Sequence, residues 1–455
     1  MGRTRYLVAG VLAASIAGAA VTYVGRPTTE PRAVETPLVA SIALPGGGAS
    51  ALSQAPGRPQ LAELERLIRS FGDQTTESPS AAGFTFLGQL ELERARLTGD
   101  VASYTRAERA LERAVKLTPD DPETAALLAG VRFTTHDFVG AFDLASDVYA
   151  SDRSLSALAV RGDAALELGR YADAAADYQV LAGSQPGAST SLVRHSRLAF
   201  LRGDPAEAGR LVAEAERAAA SEGAFGASLA WYAAYRGRLA LDAGRYTEAA
   251  RHYRRAVGAA PDYHVAVSGL ASVRAAQGRA TDAIRLYERA VAMVPDPSSV
   301  AALGDVYALT GDERAAADRY ATVEAIATLQ AGERQLYDRQ LAAFWADHDG
   351  DLDAALAVAR RSLETRRDIY GHDLLAWVLY RMGRFDEARE ASDRSLALGT
   401  TDARLWFHAG MISSALGEKD RARAELSRAL ALHPEFDPLL APVAADTLED
   451  LGGPV

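Results

Sequence analysis

From Gly169 onward the sequence keeps returning to one short phrase, a glycine followed five residues later by an alanine. The glycines are Gly169, Gly203, Gly244, Gly278, Gly311, Gly350, Gly383 and Gly417, at intervals of 34, 41, 34, 33, 39, 33 and 34 residues. Their partners are Ala174, Ala208, Ala249, Ala283, Ala316, Ala355, Ala388 and Ala422, alanine in all eight cases. Other positions keep step. Seven residues before the glycine stands a small residue: Gly162, Ser196, Gly237, Ala271, Gly304, Ala343, Ala376 or Gly410. Nine after it, Tyr178, Tyr253, Tyr287 and Tyr320 supply a ring, and seventeen after it Pro186, Pro261, Pro295 and Pro434 close the unit.

A period of this length is a structural repeat rather than a chance pattern. Each unit reads as two helices joined by a tight turn, whose glycine accepts the left-handed conformation that ends the first helix. The small residues let the paired helices approach closely. The ring is expected to wedge into the neighbouring pair, and proline stops the second helix. One such hairpin cannot shield its own apolar stripe, so the units must stack.

This spacing resembles the tetratricopeptide repeat (TPR) family over roughly residues 84–436. The resemblance implies an all-α fold, a right-handed α-solenoid of about ten helix-turn-helix units. Two degenerate units precede the clear ones. One holds Leu87, Gly88, Ala107, Ala114 and Pro119, with about seven extra residues near 98–103, and the other spans 122–152 with Ala141 in the alanine slot. The longer intervals place an insertion around 221–226 and a lengthened helix near 328–335. The expected organisation is a signal or anchor segment at 1–26 and a linker at 27–80 carrying a short helix at 61–71. The repeat array follows at 81–436, and a capping helix and tail at 437–455.

Composition narrows the function classes. Hydrophobic residues are 48% and charged ones 24%, ample for buried cores. A net charge of −11 argues against a nucleic-acid partner, which requires a basic face. Lys116 and Lys419 are the only lysines and there is no cysteine, so lysine and thiol chemistry, disulfides and thiolate zinc sites have almost nothing to work with.

At the N-terminus, Arg3 and Arg5 precede an uncharged apolar run from Tyr6 to Val24, closed by Arg26 and Pro27. The run suits either a membrane anchor or, with the small residues Ala17-Gly18-Ala19, a cleaved export signal. Either one places the array outside the membrane, with the membrane touched only through this segment.

No catalytic constellation stands out. Phosphate-loop, HExxH, GxSxG and SxxK spacings are missing. The acidic stretch 347–353 has the wrong residues at the sixth and twelfth places for a calcium loop and reads as a repeat turn. Eight histidines are scattered, so no metal or cofactor is expected. In the TPR family the concave groove is lined by the first helix of each unit, which implies a protein or peptide partner there. The slots concerned fall in two groups, Arg194, Arg197 and Arg238 beside Trp231 and Tyr235, and an aromatic stripe of Phe344, Trp377, Tyr380, Phe407 and Met411. Large rigid side chains suit a bound peptide, though the same rings would equally serve to pack neighbouring helices together. The array is thus expected to be a binding scaffold and not an enzyme. The alternatives are a self-assembling envelope structure and a ligand-binding protein or enzyme using a pocket between repeats.

Overall fold

The computed structural model describes residues 58–98, 100–330 and 338–453, which hold 22 helices and no strand. Helix α1 (Arg58–Glu77) precedes ten hairpins. The first three pair α2 (Ala81–Thr98) with α3 (Val101–Leu117), α4 (Pro122–Thr134) with α5 (Phe138–Asp152), and α6 (Leu155–Glu167) with α7 (Tyr171–Ser184). Next come α8 (Ser189–Leu201) with α9 (Pro205–Ser221), α10 (Ala227–Asp242) with α11 (Tyr246–Ala259), and α12 (His264–Ala276) with α13 (Ala280–Met293). The last four are α14 (Pro297–Leu309) with α15 (Glu313–Gln330), α16 (Asp338–Asp347) with α17 (Leu352–Thr365), α18 (Ile369–Arg381) with α19 (Phe385–Ser395), and α20 (Ala403–Ala415) with α21 (Lys419–Leu432). Helix α22 (Leu440–Asp450) ends the series. The helices form two compact units, one of Met1–His195 with Ala213–Tyr232, the other of Ser196–Val212 with Ala233–Val455.

The turns follow the glycine phrase closely. Gly169, Gly203, Gly244, Gly278, Gly311, Gly383 and Gly417 all have φ between 67° and 79°. Gly169 shows why. Its N–H donates to Leu166 O at 3.2 Å and the next N–H, of Arg170, reaches Ala165 O at 2.8 Å, satisfying carbonyls the helix end leaves open. Gly350 departs from the pattern. The left-handed residue there is Asp349 (φ 54°), and Gly350 is one extra residue in the turn before Asp351 caps α17. In the degenerate unit the slot is filled by His136 (φ 63°), five residues before Ala141, a conformation a non-glycine residue adopts less readily.

In the hairpins that carry the tyrosine, the small residue and the ring are two halves of one contact. A Cβ on Gly162 would lie 2.8 Å from Cε1 of Tyr178, whose hydroxyl donates to Asp163 Oδ1 at 2.8 Å. The Tyr320 ring fills the space left by Gly304, and its hydroxyl donates to Asp305 Oδ1 at 2.9 Å. In the last hairpin Leu426 does the same over Gly410. The ring therefore packs first within its own hairpin, and only then against the next: Tyr253 lies over both Gly237 and Gly269. Tyr178, Tyr253 and Tyr287 are buried.

The chain ends differ in length from the sequence pattern. Helix α1 runs through the polar stretch expected to break it, because Thr75 and Thr76 turn their hydroxyls back onto Gly72 O and Thr75 is buried. The extra residues near 98–103 go largely into longer helices, 18 residues in α2 and 17 in α3. Those near 221–226 lengthen α9 and α10 as well as their connection. Just before α22, Asp437 Oδ1 accepts from Leu439 N at 2.9 Å and Leu440 N at 3.0 Å. The apolar run 6–24 lies outside the described residues, as does most of 328–335. Among the described helices none is long and apolar enough to cross a membrane.

Within the second unit, segments far apart in sequence also meet. The Gly203 turn lies so close to Gly399 that a Cβ on Gly203 would overlap the Gly399 carbonyl oxygen. A Cβ on Gly244 would stand 3.5 Å from Pro434 Cδ, and the rings of Tyr246 and His433 are 5.7 Å apart. These turn-to-turn approaches close the stack of that unit on itself.

The glycine notch gives a direct test. Gly162→Val must displace the buried Tyr178 ring, so urea denaturation should show a loss of about 1–3 kcal/mol, the usual cost of overpacking. An unchanged midpoint would show that the notch is slack.

Candidate functional site

Most of the groove residues expected from the sequence are structural. Arg194 is 2% exposed, in the first unit, where Nε and Nη2 grip Asp163 at 2.9 and 2.7 Å and Nη1 reaches Thr190 O at 3.2 Å. Burial works against its charge, but the Asp163 carboxylate outweighs burial and holds the guanidinium's pKa above its ordinary value. Trp231, also in the first unit, packs edge-on against the fully buried Tyr232. Burial pushes the Tyr232 phenol up to about 12. In the second unit, Trp377 stacks on Tyr380 at 4.9 Å and on His408 at 4.2 Å, and Phe407 lies between Trp377 and Phe436. Trp377 and Phe407 are buried and Met411 packs against the same cluster. The expected aromatic wall is thus the core of the last hairpins. Tyr235 and Arg197 are half-buried, while Arg238 is exposed and pairs with Asp242 of its own helix at 3.0 Å.

Phe344 differs from the others. Though itself buried, its ring forms part of a cavity of about 320 Å³ in the second unit, where α14, α16, the start of α20 and the approach to α22 converge. Three carboxylates line it. Asp305 Oδ1 accepts from Tyr320 and, at 2.8 Å, from His348 Nε2. Asp347 accepts from Trp377 Nε1 and from Arg404 Nη2, both at 2.8 Å, and Arg404 also meets Asp437 at 3.2 Å. Arg339 lines the cavity too, but its guanidinium is spent on Asp368, Ser362 and the Arg366 carbonyl. One guanidinium, Arg404, therefore faces three carboxylates, helped by His348. Burial opposes the charge on His348, yet the hydrogen bond and charge of Asp305 outweigh it and raise its pKa.

A second charged cluster lies in the same unit around Asp402, the N-cap of α20. Burial, then the neighbouring Asp242 charge, pushes the Asp402 carboxyl up to about 6, with Arg238 pulling the other way. Among the described residues no group of three or more histidines and carboxylates is arranged to hold a metal ion.

Against known families, the tetratricopeptide repeat model matches residues 159–225, 227–264, 235–300, 268–329 and 374–435, together just over half of the sequence. The chain belongs to the tetratricopeptide repeat family. No curated protein matches it. Similar solved structures include a tetratricopeptide repeat protein from Parabacteroides merdae, 14% identical, covering 62% of this chain and 99% of that one at a TM-score of 0.41. A human IFIT1 dimer with PPP-AAAA is 14% identical over 81% and 94% of the two chains, at 0.44. The Cut9 and Hcn1 hetero-tetramer of the APC/C is 14% identical over 87% and 97%, at 0.32. Tetratricopeptide repeats imply a protein-interaction scaffold.

Slot counting in this TPR array found Phe344 on a first helix. It passed over Asp347, His348, Arg404 and Asp437, because these sit at helix ends, where a repeat pattern reads only turn chemistry. The acidic run 347–353 was the available signal. It is a turn, and its first member also faces the cavity.

Two substitutions test these assignments. Arg194→Ala leaves Asp163 buried without its partner and should cost about 3–5 kcal/mol in denaturant unfolding. Asp402→Asn keeps a capping side chain. The folded state holds the Asp402 proton more tightly than the unfolded chain, so the wild type loses stability as pH rises through about 6. The variant should melt roughly 2–4 °C higher than wild type at pH 8, with the advantage shrinking toward pH 4; a pH-independent difference would contradict this.

Proposed function

We propose that this TPR array is a non-enzymatic scaffold that receives a segment of a partner protein on the inner wall of its second unit, with the Phe344 cavity taking a lysine or arginine side chain. The observation that carries this reading is the charge of the cavity, where three carboxylates outnumber Arg404 and the His348 imidazole held on Asp305. Among the described residues Asp305 Oδ2 accepts no bond, which leaves an acceptor for an incoming ammonium or guanidinium. The Phe344 ring suits the methylene stem that such side chains bury. A volume of about 320 Å³ is at the small end of ligand sites, in keeping with one side chain rather than a whole cofactor. The acidic balance of the chain favours the same class of partner and disfavours nucleic acid.

The apolar run at 6–24, flanked by arginines, supports placing the array outside a membrane, either tethered by that run or released after its cleavage. A reporter enzyme active only outside the cytoplasm, fused after residue 455, should be active in cells. It should lose activity when 1–26 are deleted.

The binding reading is tested by selecting from a random peptide library on the full chain. Lysine or arginine should be enriched at one position, and Asp305→Asn with Asp347→Asn should weaken the selected peptides at least tenfold while helicity is retained. Selected peptides without a basic residue would overturn the assignment.

A further inference from the structure

The second unit closes on itself through a seam unlike its other interfaces. Neighbouring hairpins meet through side chains set in small-residue notches, as the buried Tyr253 ring does over Gly269 of the next hairpin. At the seam the backbone of the Gly203 turn meets the backbone at Gly399, and the Gly244 turn meets Leu432, His433 and Pro434. Across the seam turn meets turn and the Tyr246 ring meets His433, with no helix packed along a helix, so the hydrophobic term that holds the stack is smaller here than between neighbouring hairpins. The seam also carries polar burdens. His433 is 6% exposed, and its Nε2 finds no hydrogen-bond partner among the described residues. Asp242 and Asp402 share the field of the Arg238 guanidinium, with Tyr370 and Asp373 alongside and Arg404 also acting on Asp402. A buried polar atom without a partner raises the free energy of the closed arrangement and is relieved on exposure to water. Local opening takes place where apolar contact is thinnest.

We propose that this seam is a door: the Gly203 and Gly244 turns part from the Gly399 and Leu432–Pro434 segments to admit a partner chain to the inner wall, then close behind it. Arg238 is the latch: it pairs with Asp242 on one side of the seam and its charge acts on Asp402 on the other, which Arg404 also attracts. Closure of the unit would otherwise force any occupant to thread in by a free end. A door instead lets an internal segment of a partner enter sideways. The proposal rests on the inner wall being the partner surface, but the movement itself is measured with no partner present, so either can fail without the other.

The absence of cysteine makes a single introduced thiol an unambiguous reporter. Thr400, beside the Gly203 turn, is 0% exposed, and Ser392, inside the α18–α19 hairpin, is 1% exposed. In the full chain, Thr400→Cys should react with an aromatic disulfide reagent at least tenfold faster than Ser392→Cys, because the seam opens without unfolding the hairpins. Adding Arg238→Gln should speed the Thr400→Cys reaction several-fold and leave Ser392→Cys unchanged. Equal rates for the two thiols, moved equally by Arg238→Gln, would mean that both are exposed only by global unfolding, and would overturn the door.

Discussion

The packing of these hairpins depends on a bulky side chain, most often a ring, set over a residue too small to stop it. Tyr178 over Gly162, Tyr253 over Gly237 and Gly269, and Tyr320 over Gly304 bring two helices to a separation that a Cβ would forbid. Close packing of this kind is sensitive to single methyl groups. It sets the angle between the helices of a hairpin and, where the ring reaches the next hairpin, the offset between neighbours. The shape of the inner wall is then a sum of many equal, local decisions, as expected of an array whose units touch mainly their neighbours.

The same economy explains which charges are spent on structure. Arg194 and Asp163, and Arg339 with Asp368, are buried pairs whose hydrogen bonds are completed by Tyr178, Thr190 and Ser362. Such pairs contribute little net stability over apolar packing but are costly to break, so they fix register more than they add strength. The cavity beside Phe344 is the exception. Its three carboxylates outnumber Arg404 and His348 together, an imbalance that packing alone does not require.

The repeat, its turns and its ten hairpins were legible in the sequence because they rest on side chains that have no substitutes: glycine at positive φ, alanine where helices touch. Where a substitute existed the reading slipped. His136 and Asp349 take the left-handed turn position without being glycine, so the degenerate hairpin was indistinct and Gly350 was given a role that its neighbour plays. The site was harder. Trp377 and Phe407 have the composition of an anchor and the position of a groove residue. Whether a ring faces a partner or the adjacent helix is decided by neighbours such as His408 and Phe436, which a repeat pattern does not weigh. Likewise, nothing in the period announces that Gly203 and Gly399 touch, because closure arises from accumulated curvature and leaves no local mark.

The one-residue surplus at Asp349–Gly350 has a wider meaning. There the chain takes a longer path between two helices, yet Ala355 and Phe344 are still buried in their hairpins. Distances that matter to the interior are measured across helices, not along the backbone, so a connector can lengthen without disturbing what it connects. An array built this way can acquire new loops on its rim while its inner surface keeps its spacing, and its rim and its wall are free to change at different rates.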